Sequence, residues 1–454
     1  MPKRNDRRRF LQTTAAAGVG FWIAGHTSAD EPRSPNDKLN FACIGVGGKG
    51  ASDTDHAATH GNIVALCDID DQRLQKKGGQ FPHAKKYHDF RKLLEDLAPK
   101  LDAVVVSTAD HCHAVAAVMA MKLGKHVYCQ KPLTHSVHEA RVMRETAAAM
   151  KVCTQMGNQG TASPGFRHGI DVIRNGIIGT VQEVHVWTNR PFKYWKQAPD
   201  IVARPKETPP TPEHVKWDLF LGPAPERPYH RMYHPHDWRG WWDFGTGAMG
   251  DMACHTANLP YMALKLGLPQ RVTASSGEVN PETYPAWATI TYEFPSRGTD
   301  LPPVKLTWYE GARDGKRNLP AADLFQGQEP SQSGSLLIGS KGALFSPNDY
   351  GAFHRLLPLK QFEGKQPAEP SQAAARATDP AQKAEWVKAI REGNPSTAWS
   401  NFAYAGLLTE AMLLGNVAVR VGKSIEYDAK TGKVTNCPDA AKFVQREYRK
   451  GWTL

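Results

Sequence analysis

The sequence predicts two architectures in series: an α/β domain on a doubly wound parallel sheet over residues 36–155, then an α+β domain with a large, mostly antiparallel open sheet over 156–454. Three observations predict it. Short apolar runs of β character alternate with helix-like stretches in the first third of the chain, the pattern of parallel strands joined by crossover helices. A glycine cluster follows the first such run directly. From about Met156 the runs alternate inward and outward residues and succeed one another without intervening helices, which suits an antiparallel sheet with one open face.

At 454 residues, 41% hydrophobic and 22% charged, the chain has room for two or three domains and the composition of a globular core. Its first 29 residues stand apart. "DRRRFLQTTAAAGVGFWIAGHTSA" carries Arg7, Arg8 and Arg9, then Phe10-Leu11, an apolar run to Ile23 too short to span a bilayer, and a small-residue exit at Ala29. The paired arginines before Phe-Leu resemble a twin-arginine export signal. The expectation is a periplasmic or otherwise exported protein with no stable membrane insertion after signal removal; the competing reading is an uncleaved amphipathic anchor. Losing five basic residues and one acidic one takes the net charge from +11 to about +7, spread without a Lys/Arg run, so no nucleic-acid partner is expected. The seven cysteines form no C-x-x-C pair, and Cys43, Cys67 and Cys129 sit in strand-like runs. They read as small buried hydrophobes, which suits folding in a reducing cytoplasm before export.

The elements follow in order. Phe41–Val46 is a β-type run, and Gly45, Gly47 and Gly50 then give G-x-G-x-x-G before a helix-like stretch from Ala51. A glycine turn, close backbone approach and an open helix N-terminus are what a pyrophosphate needs, so a dinucleotide is the expected ligand of this Rossmann-type unit. Asn62–Cys67 is a second apolar run ending at Asp68, 18 residues past Gly50, where a carboxylate would accept a ribose 2′-hydroxyl and repel a 2′-phosphate. NAD is favoured on that ground; Lys49 leaves NADP open. Further strands are expected at Val104–Val106 and His126–Cys129, with a helix near His113–Leu123 between them. Ligands of such sheets bind at strand carboxyl ends. Gly48, Ser107, Thr108, His113, Gln130 and Lys131 therefore join the glycines, Lys49 and Asp68 as cofactor-site candidates, and Lys131 should point into the cleft.

In the second half, "GTVQEVHVWTNR", "AWATITYEF", "PVKLTWYEG" and "GSLLIGSKGALFSP" read as strands, and "PAQKAEWVKAIREG" and "NFAYAGLLTEAMLLGNVAVRVG" as late helices. Residues 190–245 form a long segment rich in proline that holds Trp195, Trp217, Trp238, Trp241 and Trp242, five of the 12 tryptophans. So many large aromatics argue against disorder. They suit stacking on sugar rings, with Arg239, Trp241 and Trp242 as substrate-binding candidates, or equally the packing of a subdomain or oligomer contact. In "DFGTGAMGDMACHTANL", Asp251 and His255 share one helix face if helical, so the carboxylate could orient the imidazole as a general-base pair; a purely structural contact is the alternative. His230, His234, His236 and Asp237 raise a metal site, but their spacing does not match a zinc motif, and no metal is assigned.

Together these segments, with "GNQG", "WDLFLGPAPERPY" and "WRGWWDFGTGAMGDMACH", resemble the glucose-fructose oxidoreductase/inositol dehydrogenase/rhizopine-catabolism (Gfo/Idh/MocA) family, in its exported form. The resemblance runs from "FACIGVGGKG" to "REYRKGW". In that family a Glu-Lys-Pro closes one strand, and its lysine contacts substrate and nicotinamide; by resemblance that lysine is Lys131. The family's Asp-x-x-x-His falls on Asp251 and His255, and Asn158 of "GNQG" joins the substrate set. Gln130 replaces the glutamate and removes a charge beside Lys131. The resemblance also implies that Pro132 forms a cis bond.

The chemistry so implied is hydride transfer from a sugar or polyol carbinol to NAD. His255 takes the hydroxyl proton, Asp251 orients it and Lys131 stabilises the oxyanion. Outside the cytoplasm little free NAD is available, so the dinucleotide is expected to be tightly held. Two alternatives stand beside this: redox-neutral, NAD-dependent glycoside cleavage, and a non-catalytic sugar-binding protein. Homo-oligomerisation is expected through the open sheet, on the premise that its free face is apolar.

Overall fold

A computed structural model describes residues 38–454 except 193, 300, 370 and 372–377. Residues 1–29, with the twin-arginine-like segment, lie outside the described residues, as does much of the proline- and alanine-rich stretch near 370. Leu39–Leu454 form a single compact unit.

Six parallel strands make the first sheet, in the order β3-β2-β1-β4-β5-β6. They are β1 (Leu39–Ile44), β2 (Gly61–Cys67), β3 (Lys85–Tyr87), β4 (Ala103–Val106), β5 (His126–Cys129) and β6 (Thr154–Met156). Every residue of β4 is buried, as expected of a central strand covered on both faces. Helices α1 (Lys49–Ala58) and α2 (Asp71–Gln80) cover one face; α3 (Phe90–Leu97), α4 (Asp110–Lys122) and α5 (Val137–Met150) cover the other. Helix α5 opens on a capping box in which Ser136 and Glu139 satisfy each other's backbone N–H groups. The Lys131–Pro132 peptide is cis.

After α6 (Pro164–Arg174) the chain enters a ten-stranded sheet. Its centre is β7 (Val181–Trp187), β10 (Val304–Arg313), β9 (Trp287–Phe294) and β8 (Arg271–Ser276), flanked by β12 (Gly334–Gly339), β13 (Gly342–Ser346) and β14 (Arg355–Leu357) on one side and β15 (Ile425–Asp428) and β16 (Lys433–Val434) on the other, with the short β11 (Lys316–Arg317) paired to β10. Only the β7–β10 pairing is parallel among these strands. The inner face, with Val272, Ile290, Tyr292, Leu306 and Trp308, packs on α8 (Gly247–Thr256), α9 (Asn258–Ala263) and α11 (Phe402–Val421). Helix α11 is long and apolar, but 78% of its apolar window is buried within the protein, as in a core helix. The outer face corrects one expectation: over β10, β9, β8 and β15 it is not apolar, and where it is, at Trp187, Leu336, Ala343 and Phe345, the chain's own Phe325 packs against it. Thr307, Thr291 and Thr273 lie side by side across three strands, and Glu183, Lys305, Glu293, Arg271 and Glu426 form a row of alternating charge across five. Such pairs stabilise a sheet surface in water.

The aromatic segment between β7 and α8 builds its own small core. Phe220, Leu221, Tyr233, Trp241 and Phe244 are buried together around the short helix α7 (Trp217–Leu221). A late helix, α10 (Thr378–Glu392), returns to the first sheet and sets Trp386 against Phe41 and Tyr128.

Candidate functional site

A cleft of about 540 Å³ runs from the carboxyl end of β2 across the glycine loop to α8. Its walls decide which candidates share a site. Gly45, Gly47, Gly48, Lys49, Asp68, Ser107, Thr108, Gln130, Lys131, Arg239, Asp251 and His255 all face it.

The glycine loop is shaped by close approach. Gly45 has φ +78°, and a Cβ there would lie 2.5 Å from the Ser107 carbonyl oxygen. Gly50 does not line the cleft; a Cβ on it would collide with the Gly45 carbonyl, so it serves the packing of α1 on β1. Helix α1 starts at the loop with no side-chain cap, so no side chain competes with a phosphate for its N-terminus. Asp68 accepts from the backbone N–H of Val46 and Asp70 at 2.8 and 2.9 Å, and burial raises its pKa against these two bonds. Lys49 sits between Asp53 and Asp379; burial alone would lower its pKa, but the two carboxylates raise it. Gln130, where the family carries glutamate, donates to Asp53 at 2.8 Å, and Asp53 also accepts from Ser107. The loop, the uncapped helix end and the carboxylate at the β2 terminus together fit NAD.

At the far end, two parts of the chain meet. Lys131 follows β5; Asp251 and His255 lie one turn apart on α8. The Lys131 ammonium donates to Asp251 Oδ1 at 2.5 Å. Arg239 Nε lies 3.4 Å from the same oxygen, and its other end contacts both Asp110 oxygens at 3.1 Å. Asp110, buried at the start of α4, also accepts from the N–H and hydroxyl of Thr246 just before α8. Burial alone would raise the Asp251 carboxyl, but Arg239 and Lys131 hold it well below the usual range. Burial, then the Lys131 charge, pushes the His255 imidazole well below its ordinary pKa, so it is neutral at neutral pH. This revises the expected pairing. No Asp251–His255 hydrogen bond is formed among the described residues; the two cations outcompete the imidazole for the carboxylate. The His255 ring instead meets Tyr350 edge-on, with centroids 4.8 Å apart, and its Nδ1 is buried without a partner.

Four further candidates are placed elsewhere. His113 does not line the cleft; its ring nitrogens lie 2.8 and 3.0 Å from the carbonyls of Pro132 and Thr108, bridging the ends of β5 and β4. Asn158 is fully buried, donating to the Cys254 carbonyl and accepting from Ser400, so it anchors α8 from behind. Trp241 is buried in the aromatic cluster and donates to the Met232 carbonyl. Trp242 packs on Tyr284 and donates to the Asn280 carbonyl, away from the cleft. In each case a buried polar atom finds a backbone partner, which turns the side chain inward. Trp238, one of the five tryptophans of the aromatic segment, does line the cleft, and the walls add residues not singled out from sequence: Asp110, Arg190, Asp349 and Tyr350. Of these only Asp110 carried a signal, since it lies just beyond a strand's carboxyl end. Of the histidines near 230–236, His234 is buried at the cleft wall and burial lowers its pKa to about 4.

A glycine-loop α/β domain whose lysine meets an Asp-x-x-x-His helix from an α/β partner defines an NAD-binding oxidoreductase. Two family models match: "Oxidoreductase family, NAD-binding Rossmann fold" over residues 39–158, and "Oxidoreductase family, C-terminal alpha/beta domain" over 167–301. The chain belongs to the Gfo/Idh/MocA oxidoreductase family. A glycosyl hydrolase family 109 protein of Solibacter usitatus is 29% identical over 195 residues, 39% of this chain and 44% of the relative. The myo-inositol 2-dehydrogenase of Thermotoga maritima is 28% identical over 153 residues, 33% of this chain and 45% of the relative. The chain thus spans less than half the length of these curated relatives. The WlbA dehydrogenase of Bordetella pertussis, solved with NADH and UDP-GlcNAcA, superposes with a TM-score of 0.60 at 16% identity, covering 87% of this chain and 99% of that one. The aldose-aldose oxidoreductase of Caulobacter crescentus, solved with glycerol, gives 0.55 at 16%, covering 86% and 99%. At such identities these structures share the fold.

Proposed function

We propose that the protein oxidises a sugar or polyol hydroxyl, with NAD held tightly in the glycine-loop cleft. The observation that carries this reading is the 2.5 Å contact between Lys131 and Asp251, which brings two parts of the chain together beside a neutral, cleft-facing His255. NAD, when bound, supplies the hydride acceptor. The chain's own groups do the rest. His255 takes the hydroxyl proton; its lowered pKa leaves the imidazole unprotonated and free to accept it. Lys131 donates to the substrate oxygen as charge develops on it. Asp251, itself held by Arg239, fixes Lys131 at that position. Trp238 and Tyr350 offer aromatic surface, and Arg190 and Asp349 polar edges, to the hydroxylated ring.

A second reading, redox-neutral glycoside cleavage, is favoured by the match to family 109 glycosyl hydrolases. Transient oxidation acidifies the neighbouring C–H, the glycosidic group leaves by elimination, and the same residues serve both directions. Export through the twin-arginine route and a cofactor loaded before export belong to this proposal as well, as does self-association, which on this sheet would rest on the polar outer face and not on an apolar one.

Mass analysis of the ligand released by denaturation, followed by incubation with candidate sugars and glycosides, tests it. A co-purifying dinucleotide and an absorbance change near about 340 nm support net oxidation. Released aglycone without that change supports cleavage. Saturable sugar binding with neither signal would leave only a binding protein and overturn the proposal.

A further inference from the structure

A second cavity, about 50 Å³, lies outside the cleft, between the turn that follows Lys131 and the segment that leads into α8. That is several times the ~10–15 Å³ a single water needs. Arg420, Lys442 and Arg446 line it, and no carboxylate does. Arg446 is already paired with Glu139. Arg420 is not: among the described residues its guanidinium has no ion pair and no hydrogen bond. It lies beside two rings instead, 4.1 Å from the Phe443 centroid and 4.8 Å from that of Trp242. Two aromatic neighbours restrict how the planar guanidinium can turn, and its N–H edge remains the donor surface. Burial lowers the Arg420 pKa; Tyr284 and Asp243 offset this only in part, and neither forms a hydrogen bond or ion pair with it among the described residues. The wall of the cavity also carries an orphan. His135 contacts the Trp242 carbonyl through Nε2 at 2.8 Å, while its buried Nδ1 has no partner.

We propose that this cavity binds a small oxyanion: a phosphate, a sulfate or a carboxylate head group. A planar guanidinium edge beside two rings matches two oxygens of such a group, as bidentate charge-assisted pairs do. Lys442, exposed at the mouth, adds a second positive charge. The His135 ring donates through Nε2 to the Trp242 carbonyl, so its Nδ1 can accept a hydrogen bond from a protonated oxygen of the group. The site bears on the cleft by contact. His135 is four residues from Lys131, Trp242 is three from Arg239, and Asn416, at the same cavity, donates to the Thr246 carbonyl at the start of α8. An occupant would tie these three segments together.

The test is calorimetric titration of the full chain with inorganic phosphate, and separately with acetate, at constant ionic strength set by chloride. Lys49→Gln, at the glycine loop, controls for phosphate binding there. The expected result is saturable binding of one equivalent of either anion that Arg420→Gln weakens at least tenfold and Lys49→Gln leaves unchanged. If Arg420→Gln does not fold, judged by circular dichroism, Lys442→Gln takes its place, with an expected weakening of about threefold to tenfold for loss of one charge-assisted contact. Preference for phosphate over acetate would assign a tetrahedral ligand, the reverse a carboxylate. No saturable binding of either anion, or binding lost in Lys49→Gln and kept in the cavity variant, would overturn the assignment.

Discussion

Replacing Asp251 by Asn keeps the shape of the side chain and removes its charge. In the protein that carboxylate is 9% exposed and touches two cations, Lys131 at 2.5 Å and Arg239 at 3.4 Å. Removing one partner of a fully buried pair costs about 3–5 kcal/mol, because a charge is left uncompensated. Two features reduce this. The Lys131 side chain is 19% exposed, so water screens part of the loss, and Asp110 continues to balance Arg239. About 2–3 kcal/mol remains. Near the melting point a chain of this length has an unfolding entropy that converts 1 kcal/mol into about 1 °C, so the expected loss is roughly 2–3 °C. Turnover should suffer more, since an unanchored Lys131 ceases to meet the substrate oxygen; a fall of about 10²-fold or greater in kcat is expected, with a smaller change in KM. The pH dependence carries its own signature. The folded pKa of Asp251 lies below its unfolded value of about 3.9, so its stabilisation is fully present above that pH and is lost as pH falls through the depressed value. Asp251→Asn should therefore narrow its stability deficit in acid. Scanning calorimetry from neutral pH to about 3, with steady-state turnover, gives both readings. A variant that melts with the parent at neutral pH and turns over within threefold of it would refute the ion-pair argument.

His255→Asn should lower kcat by about 10²–10⁴-fold, the range of a lost general base. Because the folded His255 pKa lies below about 6.5, wild-type activity should stay flat from pH 6.5 upward and fall only on the acid side; a midpoint above pH 7 would contradict this. Trp238→Ala should raise KM with little change in melting temperature, whereas Trp241→Ala should lose about 3–5 kcal/mol of stability as a buried aromatic, read by denaturant midpoint. Gly45→Ala should abolish NAD binding, measured by fluorescence titration, because the new methyl meets the Ser107 carbonyl and φ is +78°. Asp68→Ser should shift preference toward NADP in the same titration, since it removes the charge that repels a 2′-phosphate.

Four of the six strands of the first sheet, β1, β2, β4 and β5, were legible in the sequence because they are short and mostly apolar; β5 spans His126–Cys129, the bounds its run suggests, whereas β3 (Lys-Lys-Tyr) and β6 (Thr-Gln-Met) are short polar strands with no apolar run to read. The site was legible only in outline. A strand end or a helical spacing places a backbone, but the direction of a side chain depends on which partner lies across the fold. Asp251 and His255 share a face of α8, yet the carboxylate turns to Lys131, 120 residues away in sequence. His113 and Asn158 follow the same rule, drawn inward by carbonyls of distant segments. The aromatic segment has no periodicity to read, so nothing local separates Trp238, which lines the cleft, from Trp241, three residues on, which fills a core.

Helix α10 has a consequence for how the chain reaches this state. Trp386 completes the bed under Phe41 and Tyr128, Lys122 donates to the carbonyl of Leu454, and Arg91 lies over Trp452. The first-made sheet is thus closed by residues that follow it far along the chain. A fragment ending before α10 would leave Phe41 and Tyr128 without their Trp386 cover and should aggregate, so the nascent sheet must be shielded until α10 has been made.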